Sequence, residues 1–187
     1  MSNRESQNIE GKRYYRFKII DIAQRYHPWT FIIGHRAFCG SRLKDQASME
    51  KYYTLLDHTA DLRIRIIGTD AADLFKNAGL ALFDLVTETD HLGSCEVAAV
   101  HVTGDDPADL MVNYLRELLY LWTGKQKLVK LIDIVHISDT AVTARVSTDR
   151  YQPERHEILN EIKAVTYHQI DVSHTTKGWE ATVVFDI

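Results

Sequence analysis

The chain is poor in the patterns that mark most chemistries. Cysteine occurs twice, at Cys39 and Cys95, with no CxxC spacing. Neither a zinc–thiolate site nor a disulfide framework is therefore indicated, and a reducing cytoplasm is the expected setting. No apolar run approaches the roughly 18 residues of a membrane span. The opening "MSNRESQNIEGKRYYRFK" lacks the compact apolar stretch of a signal peptide. None of the nine histidines forms an HxxxH or HExxH pair, which argues against zinc. There is no GxxxxGK[ST] loop, no GxGxxG and no GxSxG elbow, so nucleophilic or phosphate-loop chemistry has no support. No internal repeat and no low-complexity segment stands out.

What is present is a globular composition with an uneven charge. The 187 residues, 45% apolar and 26% charged, suit one domain with an appendage. Residues 1–48 carry nine Lys/Arg against four Asp/Glu, a net +5, and residues 49–187 a net -9. A body that acidic is not expected to bind nucleic acid directly, because phosphate needs cations. It suits a bound cation or a basic protein surface. Residues 1–48 show no sustained helical or strand period and are read as a basic extension or as an upstream stretch before a natural start at Met49; residues 49–187 form the ordered domain.

From Met49 the periodicities sharpen. "KYYTLL" and "DLRIRIIG" read as strands. "TDAADLFKNAGLALFDLVTE" reads as a helix capped by Thr69 or Asp70, with Leu74, Ala78, Leu82 and Leu85 on one stripe. "CEVAAVHVTG" is a strand. A second helix follows, with Asp106 as cap, Pro107 as first residue and Gly124 as stop. "LVKLIDIVHIS" and "TAVTARVST" form one hairpin, and "IKAVTYHQIDVSH" and "GWEATVVFDI" form another around "TTKG". The expected fold class is α+β: a mixed, mostly antiparallel sheet with the two helices packed on one face.

Three polar groupings could carry chemistry. "DHTAD" places Asp57, His58, Thr59 and Asp61 just before a strand. It is either an oxygen-rich seat for a hard divalent cation or a polar turn. "VVFDI" ends the chain with Asp186 beside the carboxylate of Ile187, a like-charge pair that favours a proton or a cation. Lys163, at the start of "KAVTYHQI", could meet a phosphate or a partner's acid, or be a surface lysine. By strand parity it lies on the opposite face from His168. Arg155 and His156 sit in a polar connection of the kind where function often resides.

Together "LLDHTADLRIRIIGTDAADLFKNAGLALFDLVT", "EIKAVTYH" and the closing "GWEATVVFDI" resemble the N- and C-terminal signatures of the archease family, over about residues 49–187. The resemblance implies a fold built around a strand-helix-strand-strand module. It implies a non-enzymatic accessory protein of the RtcB-type RNA ligase of tRNA splicing and RNA repair, promoting ligase guanylylation and multiple turnover. An older reading of the family, a chaperone or modulator of a tRNA methyltransferase, is the alternative. It further implies a divalent cation, Ca²⁺, Mg²⁺ or Mn²⁺ but not zinc, held by Asp61, Asp186 and the terminal Ile187. Asp57 and His58 would support it, and Lys163, Arg155 and His156 would contact a partner or nucleotide.

Overall fold

The computed structural model describes residues 52–56, 61–93 and 96–187, which all lie within one compact unit, Asp45–Ile187. The basic extension, the boundary drawn at Met49, and Asp57, His58 and Thr59 lie outside the described residues.

The elements run β1 (Tyr53–Leu56), β2 (Leu62–Gly68), α1 (Ala71–Val86), a 3₁₀ turn (Thr89–His91), β3 (Glu96–Thr103), α2 (Pro107–Thr123), β4 (Lys127–Ile137), β5 (Ala141–Arg150), β6 (Ala164–Thr175) and β7 (Gly178–Asp186). The α+β class holds. The strands divide into two sheets, ordered β1-β2-β7-β6 and β3-β5-β4, and every pairing is antiparallel. Each helix touches strands of both sheets, so each sheet has one face against the helices. On β2 the buried Leu62, Ile64 and Ile66 alternate with Arg63, Arg65 and Ile67, the period-two pattern of a half-covered strand.

The sequence contains an internal repeat after all. "GTDAADLFKN" (68–77) and "GDDPADLMVN" (104–113) agree at six of ten positions, 36 residues apart, and they fold identically. Asp70 and Asp106 are the N-caps, each accepting from the N–H of the Asp three residues on at 2.8 Å. Those acids, Asp73 and Asp109, accept in turn from the N–H of Thr69 (3.0 Å) and Asp105 (2.9 Å). Asn77 and Asn113 donate back to the strand carbonyls of Ile67 and Thr103. Each helix thus satisfies several orphan N–H groups with its own carboxylates. The strands repeat the plan. β2 lies beside the second strand of the β6–β7 hairpin, and β3 beside the second strand of the β4–β5 hairpin. The chain is therefore two strand-helix-strand-strand units, the second nested between the helix and the hairpin of the first. The repeat is short, confined to ten residues whose identities are fixed partly by capping and partly by the close packing of Gly68 on Leu74 and of Gly104 on Leu110.

Among the described residues three buried side-chain atoms lack a hydrogen-bond partner, Arg63 Nε, His156 Nε2 and the Tyr114 hydroxyl, and the last of these lies in the core. The Tyr114 hydroxyl, in a fully buried residue of α2, has no hydrogen-bond partner, and burial drives its pKa upward. Removing a buried donor that bonds nothing relieves its desolvation penalty, about 1 kcal/mol or more. Tyr114→Phe is therefore expected to raise the urea midpoint without changing the slope. A lower midpoint would mean that the hydroxyl is held after all.

Candidate functional site

The carboxyl end of the chain closes onto the start of β2. In the β2–β7 register Leu62 faces Phe185 and Arg63 faces Val184. Continued by one residue, that register sets Asp61 opposite Asp186. Leu62 and Phe185 point to the core, so the two acids beside them share the opposite, outward face. Both are exposed. Directly opposed residues have Cβ atoms about 5 Å apart, and like charges there repel. β6 completes the corner: the Lys163 N–H donates to the Asp186 carbonyl (2.8 Å) and its Nζ to an oxygen of Ile187 (3.0 Å). Of the residues singled out from the sequence, Asp61, Asp186, Ile187 and Lys163 meet at one end of the first sheet.

These groups fit a hard cation. All the donors are oxygens, from two carboxylates and the chain terminus, which suits Ca²⁺, Mg²⁺ or Mn²⁺ and not zinc. Among the described residues no three His, Cys, Asp or Glu side chains gather as a metal cluster. With Asp61 and Asp186 as the two carboxylates, a third oxygen for such an ion would have to come from the terminal residue.

Arg155 and His156 are not brought to this corner. His156 is 4% exposed. Its Nδ1 accepts from the Gln152 N–H (3.1 Å), so in the neutral ring the proton sits on Nε2, which lies 3.4 Å from Asp149 Oδ2 and outside hydrogen-bond geometry. Asp149, at the end of β5 and itself buried, accepts the Gly93 N–H (2.7 Å) and faces Arg155 Nη2 at 3.6 Å. The polar connection is further tied to the end of α1, where Leu159 N–H donates to the Val86 carbonyl and Asn160 Nδ2 to that of Leu85. His156 therefore holds its own loop to the second sheet, and a surface contact through its ring is closed off by burial. Arg155, half exposed, is tied to Asp149 and donates to Gln152 Oε1 (3.2 Å), with part of its guanidinium left at the surface.

A second polar grouping went unnoticed in the sequence. β6 bulges: residues 167–170 stand opposite Val183 alone, and Gln169 takes a left-handed conformation (φ 53°). The bulge breaks the count on which Lys163 and His168 were assigned to opposite faces. It also swings Tyr167 onto α2, where its hydroxyl donates to Asp109 Oδ1 (2.5 Å) and its ring lies 4.6 Å from the Arg116 guanidinium. Arg116 Nε donates to the Val165 carbonyl (3.1 Å), closing part of the open edge of β6. The hint in the sequence was the run of non-alternating residues in "TYHQI". Asp109 is held below the usual carboxylate range, chiefly by the Tyr167 hydroxyl. A depressed folded pKa stabilises above the ordinary carboxylate range, near pH 4, and that contribution vanishes as pH falls through the folded value. Asp109→Asn should thus lower the urea midpoint at pH 7, with a deficit that shrinks below about pH 4. A deficit independent of pH would assign the loss to packing alone.

A cleft of about 760 Å³ opens at the other end of β2 and β7, among Thr54, Arg65, Asp73, Asn77, Lys177 and Trp179. None of the described candidate residues lines it. No helix among the described residues is long and apolar enough to cross a membrane.

Comparison with known proteins bears on the whole described region. The model of the Archease protein family (MTH1598/TM1083) matches residues 53–187. The chain belongs to the archease family. It is 35% identical to the protein archease of Methanosarcina mazei over 144 residues, covering 75% of this chain and 99% of that protein. It is 32% identical to the protein archease of Pyrococcus abyssi over 136 residues, covering 70% and 95%. Among solved structures, the solution structure of Methanobacterium thermoautotrophicum protein 1598 matches with a TM-score of 0.62 and 27% identity, covering 73% of this chain and 99% of that one. The archease match spans both halves of the nested repeat and both strands that carry the carboxylate corner.

Proposed function

We propose that this archease-family chain is a non-catalytic accessory protein of an RtcB-type RNA ligase, acting in the cytoplasm in tRNA splicing or RNA repair. The observation that carries this reading is the family match over residues 53–187, which includes the Asp61–Asp186 corner. In this reading Asp61, Asp186 and the Ile187 carboxylate hold a divalent cation. Such an ion, when bound, neutralises phosphate charge during nucleotidyl transfer.

The chain's own residues set the geometry. The β2–β7 register holds the two carboxylates side by side, and Lys163 fixes the terminal residue that would otherwise fray. An acidic body that carries two carboxylates and its chain terminus at one exposed corner is complementary to a basic, nucleic-acid-handling enzyme. Docked there, the corner promotes guanylylation of the ligase histidine, while RNA stays on the ligase.

The test uses purified ligase, GTP and Mn²⁺, with and without this protein. Faster formation of the guanylylated ligase, and joining of more than one RNA per ligase, are expected. Unchanged rates of both would sink the reading.

A further inference from the structure

We propose that Arg63 is a built-in opponent of the cation at the Asp61–Asp186 corner: its guanidinium charge, set one row in from both acids, weakens the hold of the corner on an incoming ion. This inference rests on the proposed cation site and concerns how tightly that site binds.

Arg63 is two residues from Asp61 on the same strand, hence on the same outward face, and it stands opposite Val184, two residues from Asp186. It is one row in from both acids. Among the described residues its buried Nε has no hydrogen-bond partner. A guanidinium donor left unsatisfied in that way is costly. Arg65, the next residue along the same face, shows how such a group is satisfied on this sheet: its Nη2 meets Glu180 Oε2 at 2.6 Å, a carboxylate diagonal to it across β2 and β7. Arg63 makes no such pair with Asp61 or Asp186 among the described residues, so its positive charge stands beside the corner without being held by either acid.

The charge count makes the opposition matter. Asp61, Asp186 and the chain terminus supply three negative charges, and Lys163 already engages Ile187. With Arg63 the corner is left at net -1; without it the corner is at -2. A unit positive charge about 7 Å from a divalent ion, at a wet surface, opposes binding by roughly tenfold in affinity. Salt weakens the effect, since 7 Å is close to the screening length.

Calcium titration of the full chain by calorimetry at low ionic strength tests this, with Ca²⁺ alone as probe. Arg63→Met keeps the aliphatic stem and removes the charge; it is expected to bind Ca²⁺ about tenfold more tightly than wild type, with the gap closing as salt is added. Arg63→Lys, which keeps the charge, should stay near wild type, and Asp186→Asn should abolish the heat. Equal affinity of wild type and Arg63→Met, with Asp186→Asn still silent, overturns the role of Arg63 and leaves the site standing. No Ca²⁺ heat in wild type or in Arg63→Met overturns the cation site and this proposal together.

Discussion

Asp186→Ala is expected to abolish stimulation of a partner ligase while leaving the fold intact. The pairing of β7 uses the backbone of Asp186, which receives the Lys163 N–H through its carbonyl, and alanine keeps that carbonyl. Its carboxylate is exposed and, by the continued register, faces the like charge of Asp61. Removing one of two opposed negative charges relieves repulsion, so stability should stay within about 0.5 kcal/mol of wild type. Function should respond very differently. Even residues that merely support a metal ligand cost about 10- to 100-fold in affinity when changed, and here a proposed ligand itself is lost. Asp61→Ala should match it, and the double variant should be no worse than either, because the two acids act as one unit. Melting temperature and guanylylation rate measured on the same samples separate the two effects. If Asp186→Ala stimulates as well as wild type, the corner is not the working part.

The largest effect on stability is expected at the two glycines that open the repeat. A Cβ on Gly68 would stand 2.4 Å from the Leu74 nitrogen and 2.6 Å from its Cα; on Gly104 the same two distances separate it from Leu110. Both contacts are with backbone, at fully buried leucines in the first turn of a helix. Nothing there can rotate away, so strand and helix must part. Gly68→Ala and Gly104→Ala should each cost about 3 kcal/mol, the upper range for overpacking. Together, at about 6 kcal/mol, they would consume a large share of the roughly 5–15 kcal/mol that holds a typical domain. Gly124→Ala is the control. Its Cβ would come still closer to a neighbour, 2.2 Å, but that neighbour is the ring of Tyr120, 52% exposed and able to swing out. Gly124 also sits at φ -98°, open to any residue, so the change should cost well under 1 kcal/mol. Urea denaturation of the three variants decides the matter. A tolerated Gly104→Ala would show that the strand-to-helix junction is softer than its contacts imply.

Much of this fold was legible before any coordinates. The helices fall where the 3.6-residue stripes and caps put them: Asp106, Pro107 and Gly124 take their expected places, and of the two candidates for the first cap Asp70 proves to be the one. Both hairpins form around their turn residues. These features are local. A cap acts over three or four residues and a strand's alternation over two, so the physics is written in the neighbouring letters. Parity failed at residues 167–170 for the complementary reason. A bulge is stabilised by what it reaches, here Asp109 and Arg116 on α2, and no counting rule along the strand contains that partner.

The amino-acid sequence alone settled the class of the fold, the element order, the acidity of the body and the presence of two carboxylate-bearing motifs 125 residues apart. Only the tertiary structure decided that Asp61 and Asp186 share a row, that Lys163 grips the terminal residue, that Arg63 stands uncommitted beside them, and that His156 is turned inward to Asp149. The first three depend on register between strands, and the fourth on how the connection after β5 folds back onto Asp149. Register is fixed when Leu62 and Phe185 are buried together against the helices: slipping by one residue would turn every core side chain outward, so the packing of the core places the acids at the corner.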